Sequence, residues 1–217
     1  MSEIISTVLL EDPNVTIPMD RDEFYAEQIK AYKETGNPTR ACDIVDVFIF
    51  NSNHEMLVQK RSNEKYFNPG LLDKSIGGHV LYGDSTDYSM MVESVQELKT
   101  PSIILKNDND FKKTLNLLRD YLATIAIVEY MHSKNYLMKK IIQNEKVLIA
   151  NRKHVHFGVY NGSIHPVDRE VKGIMFYSLE ELVADMKKLP DAYTADMHVY
   201  LEELLPDMET FLNKLKK

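Results

Sequence analysis

The sequence predicts an α/β (α+β) protein in which a mixed β-sheet is covered by helices. Two observations carry this expectation. Runs rich in β-branched and aromatic residues, such as "ACDIVDVFIFN", "KVLIANRKHVHFGVYNG" and "VKGIMFYS", recur along the 217 residues between segments of helical spacing. Strands and helices also alternate without regular βαβ spacing, which argues against a doubly wound parallel sheet.

In chain order, "EIISTVLL" has strand composition and is stopped by the turn residues "EDPN". A helix over "RDEFYAEQIKAYKETG" has Asp20 as N-cap, Gly36 as stop and a partial apolar face of Phe24, Ile29 and Tyr32. "ACDIVDVFIFN" and "EMLVQKRS" read as a β-hairpin, followed by a polar loop with a Pro-Gly turn and a short strand into Gly77 and Gly78. From Asp84 to Lys99, Tyr88, Met91, Val92, Val95 and Leu98 recur at helical spacing. That stripe is expected to pack inward, leaving Glu93, Gln96 and Glu97 off the core face. Residues 101–121 read as an extended piece and a helix capped near Asp108 or Asp110, inserted where it could cover a pocket. "LATIAIVEYM" fits a helix or a buried strand, since periodicity does not decide. Two helices close the chain, the second interrupted or kinked near Pro206. Its stripe of Leu204, Met208, Phe211 and Leu215 suits either the domain's own core or a homodimer. We expect a single domain: an N-terminal extension over 1–40, a core over 41–185 and a helical tail over 186–217.

Composition narrows the function. An apolar fraction of 44% supports a sizeable core, while a net charge of −7 disfavours a nucleic-acid polymer as partner. A local basic pocket remains compatible with that charge. The only cysteine, Cys42, excludes an intrachain disulfide and fits a reducing, cytoplasmic setting. The start lacks the pattern of a signal peptide, and the apolar run "YLATIAIVEYM" falls far short of the ~20 residues that span a bilayer, so no membrane association is expected.

"VFIFNSNHEMLVQKRS" followed by "NPGLLDKSIGGHVLYGDS" resembles the Nudix hydrolases, particularly the branch similar to isopentenyl-diphosphate isomerase. Order and spacing match across about 45–100, and looser similarity runs to about 185. The resemblance implies a Nudix-type α/β/α sandwich. Against the Nudix box, Gly78 opens the motif, Asp84 stands at the first acid, and Glu93 and Glu97 keep two glutamates. Val92 replaces the arginine, Ser94 an aliphatic residue, Gln96 a glutamate and Lys99 the closing glycine, so the box reads as degenerate.

Glu93 and Glu97 are four apart and project from one helix face. The resemblance makes them catalytic and, with the Gly78 carbonyl, Gln96 and Glu170, the holders of Mg²⁺ or Mn²⁺. Such an ion neutralises phosphoryl oxygens and activates water. Arg61 and Lys65 resemble the isomerase's diphosphate-binding basic pair, and His79, which matches an isomerase metal ligand, is read as ordering the loop or contacting phosphate, so a small phosphorylated molecule is the expected partner. Isomerisation is disfavoured, because Gly77 stands at the position of the isomerase's catalytic cysteine and Cys42 where a ligand histidine would stand. Asp168 and Glu170 resemble the isomerase's later acidic pair. His154 and His156 share a strand face and read as surface histidines or pocket lining. Two functions remain: a metal-dependent hydrolase of an organic diphosphate, and a weak or inactive domain that binds a phosphorylated ligand or a protein.

Overall fold

A computed structural model describes residues 3–65, 67–142, 145–164 and 171–216 of the chain. Asp168 and Glu170 therefore lie outside the described residues. Strands β1 (Ile4–Leu9) and β2 (Thr16–Asp20) form an antiparallel hairpin. Helix α1 (Arg21–Thr35) starts where the Asp20 carboxylate accepts from the Asp22 and Glu23 amides. It stops at Gly36, whose φ of 76° takes the left-handed conformation that glycine adopts without strain. Both ends fall where the sequence placed them.

Next come β3 (Arg40–Phe50), β4 (Met56–Arg61), β5 (Leu72–Asp73) and β6 (Ile76–His79), then helix α2 (Thr86–Leu98). The 101–121 segment supplies β7 (Ser102–Leu105) and α3 (Asp108–Leu118), capped by Asn107. Long strands β8 (Ala126–Ile142) and β9 (Glu145–Val159) pair antiparallel, which resolves "LATIAIVEYM" as strand from Ala126 onward. β10 (Val171–Tyr177), α4 (Leu179–Lys188) and α5 (Ala195–Leu215) complete the chain. α5 runs unbroken through Pro206, contrary to the expected interruption.

The sheet is mixed: its path runs β10-β4-β3-β9-β8-β7, with β3–β9 and β7–β8 parallel and the other neighbours antiparallel. β1 and β6 also pair with β3, so the N-terminal hairpin is part of this sheet. Alternation along β3 sends its residues to two cores. Phe48 and Phe50 cluster with Phe157, Tyr200 and Phe211, while Val45, Val47 and Ile49 cluster with Met90 and Leu98 of α2. Leu204, Met208, Phe211 and Leu215 are all buried in the first cluster, so that stripe serves the chain's own core. Among the described residues, no helix is long and apolar enough to cross a membrane.

α2 corrects a sequence expectation. Tyr88, Met91 and Val95 are exposed, whereas Met90, Ser94, Glu97 and Leu98 are buried. The inward face is thus rotated by about one residue from the apolar stripe. A face that contains Ser and Glu is invisible to hydrophobic periodicity. Ser94 fits inside because its hydroxyl donates to the Met90 carbonyl at 3.0 Å.

Candidate functional site

A cavity of about 840 Å³ opens between α1, β6, α2 and the loop after β4. That volume suits a ligand of metabolite size. Its wall includes Arg21 and Tyr25 of α1, Asp46 of β3, Arg61, Lys65, Lys74, Gly77, Gly78, His79, and Val92, Glu93 and Gln96 of α2. Lys140 of β8, Lys153 of β9 and Asp196 of α5 also line it, as do the carboxylates of Glu3, Asp22, Glu64, Asp73 and Asp84. No residue of the 101–121 segment lines the cavity; the N-terminal helix forms the wall expected of that segment.

The structure brings Gly78 and Glu93 together. A Cβ built on Gly78 would lie 1.8 Å from Glu93 Oε1, so the carboxylate rests directly on the glycine backbone. Any side chain at 78 would displace it. Gln96 also lines the cavity. Glu97 does not: it is 5% exposed and sits 3.5 Å from Gln59 Nε2 on the buried side of α2. Among the described residues, no group of three His, Cys, Asp or Glu side chains is arranged to hold a metal ion.

Arg61 and Lys65 both line the cavity, but Arg61 is already engaged. Its Nη1 donates to Asp73 at 3.1 Å, and its Nε and Nη2 donate to the Phe67 carbonyl at 3.2 and 3.0 Å. The guanidinium therefore braces the loop that carries Lys65. His79 accepts or donates a hydrogen bond with the Tyr25 hydroxyl at 2.9 Å. Burial, followed by the Lys140, Arg21 and Lys153 charges, pushes its pKa down to about 3, so the imidazole is neutral.

The floor of the cavity carries an ionic network that sequence reading missed. Lys153 Nζ lies 2.9 Å from Asp46 and 3.0 Å from Asp196. Lys74 Nζ lies 3.1 Å from Asp46, 3.5 Å from Asp73 and 3.9 Å from Asp196. The Tyr200 hydroxyl donates to Asp46, and Thr194 donates to Asp73 at 3.1 Å. Burial alone would raise the Asp46 and Asp196 carboxyls, yet the lysines outweigh it and hold both below the usual range. Burial likewise opposes charge on Lys74 and Lys153, and the aspartates overcome it, raising both. Asp46 was hidden inside a strand of β-branched residues, and Asp196 lies about 150 residues away on the last helix. No local pattern links them.

This network explains Gly77. A Cβ there would lie 2.6 Å from Lys74 Cε and 2.9 Å from Asp46 Oδ1, so the lysine stem fills the space a side chain would need. Cys42 is buried on the same strand, β3, where its Sγ lies 3.1 Å from the Asn151 side-chain amide, and burial pushes its thiol up to about 12. It is a protonated, inert thiol. His154 and His156 correct the reading as surface histidines or pocket lining. Neither lines the cavity; His154 bonds Asp43 at 2.9 Å beside Arg152, and His156 is fully buried with its pKa lowered by desolvation to about 4.

No protein-family model matches the chain. In sequence it is similar to the isopentenyl-diphosphate Delta-isomerase of Streptomyces coelicolor, 24% identical over 206 residues that cover 94% of this chain and 86% of that protein. In fold it is similar to DR0079 of Deinococcus radiodurans, with a TM-score of 0.60 and 16% identity, over 92% of this chain and 98% of that one. A NUDIX-family hydrolase from Clostridium perfringens matches at a TM-score of 0.41 and 17% identity over 65% of this chain and 84% of that chain, too distant to add weight. In sequence, the similarity is thus to an isopentenyl-diphosphate isomerase, the branch that the motifs led us to expect.

Proposed function

We propose that the chain is a Nudix-type pyrophosphohydrolase that cleaves the diphosphate of a small organic molecule, with Mg²⁺ or Mn²⁺, in the cytoplasm. The observation that carries this reading is the Glu93 carboxylate lying on the Gly78 backbone in the wall of a cavity that Lys65 and Arg61 also line. Of the motif's acids, Asp84 and Glu93 line the cavity, which suits Mg²⁺: that ion is usually held by one or two carboxylates together with substrate phosphates and water. Glu93, the Gly78 carbonyl and Gln96 would hold it, and Glu170 is a further expected ligand. When bound, the ion supplies charge neutralisation on the phosphoryl oxygens and lowers the pKa of water.

The chain's own side chains do the rest. Lys65 offers an ammonium to the phosphates, and Arg61 fixes the loop that presents it. Neutral His79, held by Tyr25, exchanges a hydrogen bond with a phosphate oxygen without adding charge. A water oxygen forms the new bond to phosphorus, the bridging P–O bond breaks, and Glu93 is the carboxylate placed to take the water's proton.

Isomerisation through residue 77 is disfavoured, since Lys74 and Asp46 occupy the space around that glycine. The second reading, a weak or inactive binding domain, is favoured by the burial of Glu97 away from the cavity. Phosphate release from a panel of nucleotide and isoprenoid diphosphates, with and without Mg²⁺ or Mn²⁺, separates these readings. Hydrolase function predicts metal-dependent turnover that is lost in Glu93→Gln. Equal background in both proteins would leave only the binding domain, and conversion of isopentenyl diphosphate to its isomer would overturn the inference from Gly77.

A further inference from the structure

Lys140 is the feature of the cavity that the proposed chemistry does not use. Its side chain reaches the wall from β8 and is 8% exposed. Among the described residues, no carboxylate lies within ion-pair distance of it, whereas Lys74 and Lys153 share Asp46 and Asp196 and Lys74 also reaches Asp73. Its near neighbour is the Asn151 amide. With that amide turned to satisfy both ends, Nδ2 donates to the Ala150 carbonyl at 3.2 Å and Oδ1 accepts from Lys140 Nζ at 3.3 Å. One neutral acceptor leaves an ammonium's charge uncompensated in a desolvated wall. The longer-range field does not remove the problem. Asp196 favours the charge, but Lys153 and Lys74 oppose it, and burial as the largest influence lowers the pKa of Lys140.

The deep carboxylates of the same wall, Asp46, Asp73 and Asp196, are already engaged by Lys74 and Lys153. Neutral His79 and protonated Cys42, which the Lys140 charge also reaches, carry no charge near neutral pH. A diphosphate group is also far smaller than a cavity of about 840 Å³, so a large part of any ligand must extend beyond it. An isoprenoid tail against Lys140 would strip water from a charge and give nothing in return.

We propose that Lys140 marks a second anion subsite, which takes a carboxylate or phosphate group carried by the non-reacting part of the ligand. This rests on reading the cavity as an organic-diphosphate site, and it narrows the substrate class to diphosphates with a further negative charge. Asn151 is a positioning residue for the ammonium.

Calorimetric titration of the full chain without divalent metal, so that nothing is turned over, tests this with two matched pairs. UDP-glucose against UDP-glucuronate reads a carboxylate, and ADP-ribose against its 2′-phosphate reads a phosphate. We expect the charged member of at least one pair to bind about tenfold more tightly, which corresponds to about 1.4 kcal/mol. Lys140→Met should level that preference, and Lys140→Arg should keep it. Circular dichroism and thermal melting of both variants establish that they fold. If Lys140→Met fails to fold, Lys140→Gln takes its place. Equal binding within both pairs, a preference that survives in Lys140→Met, or no binding by any of the four overturns the proposal. Loss of the hydrolase reading shows up separately, as absence of Glu93-dependent phosphate release with metal present.

Discussion

Lys74 and Lys153 on one side, and Lys140 on the other, are lysines of one cavity at nearly the same depth: 5%, 1% and 8% exposed. Desolvation opposes the charge on all three. The first two nevertheless have raised pKa values, because Asp46, Asp73 and Asp196 surround them, while that of Lys140 is lowered. The difference teaches that depth does not fix a buried lysine's ionisation; the carboxylates within reach do. The paired lysines are structural, and the one with no carboxylate partner among the described residues is the one our proposal assigns to a ligand.

The largest expected effect comes from breaking the paired side. Asp46→Asn removes a carboxylate shared by Lys74, Lys153 and Tyr200, and should cost about 3–5 kcal/mol in urea denaturation at neutral pH. The sign with pH follows from the shifts. Asp46 is depressed in the fold, so its contribution is present above its unfolded pKa and fades as pH falls through the folded one. The raised lysines contribute below their unfolded pKa and lose that contribution as pH climbs through the folded values. The mutant's deficit should therefore be widest between those limits. A loss below about 1 kcal/mol would show that the network is not what holds the cavity floor.

A smaller effect is expected at Gly77. Gly77→Ala places a methyl against the Lys74 stem and Asp46 and should cost about 1–3 kcal/mol through overpacking. Unchanged melting behaviour would mean that Lys74 is free to move aside.

The smallest effect is expected on the unpaired side. Lys140→Met should leave stability unchanged or raise it by about 1 kcal/mol, since it removes a buried charge with no counter-ion among the described residues. Because its folded pKa is lowered, wild-type Lys140 destabilises the fold at pH values below that pKa. The penalty disappears as pH rises past the unfolded lysine value. Any advantage of Lys140→Met should thus shrink towards alkaline pH. The groups bearing on it are Asp196, Lys153, Cys42 and Lys74. A clear destabilisation at neutral pH would reveal a counter-charge for Lys140 within the fold.

Much of the architecture was legible because it is written locally. The Asp20 cap, the Gly36 stop, the β-branched runs and the short strand at Gly77 and Gly78 each announce their own element. The α2 face was misread because its inward positions include Ser94 and Glu97, so the apolar stripe pointed the wrong way. The site was legible only in part. Gly78, Glu93, Arg61, Lys65 and His79 lie close in sequence to a recognisable motif, and all line the cavity. Asp46, Lys140, Lys153 and Asp196 come from four distant elements, and only the folded sheet makes them neighbours. For Asp46, Lys140 and Lys153, a charge within a strand was the available hint, since a lysine such as Lys153 is seldom fully buried without a partner.

The most direct test of the cavity's role is anomalous diffraction from crystals soaked with Mn²⁺ and a methylene-bridged nucleoside diphosphate analogue. The account predicts an anomalous peak in contact with the Glu93 carboxylate and the Gly78 carbonyl, with the analogue's phosphonates beside Lys65. A peak elsewhere, or an analogue bound outside the cavity, would contradict it.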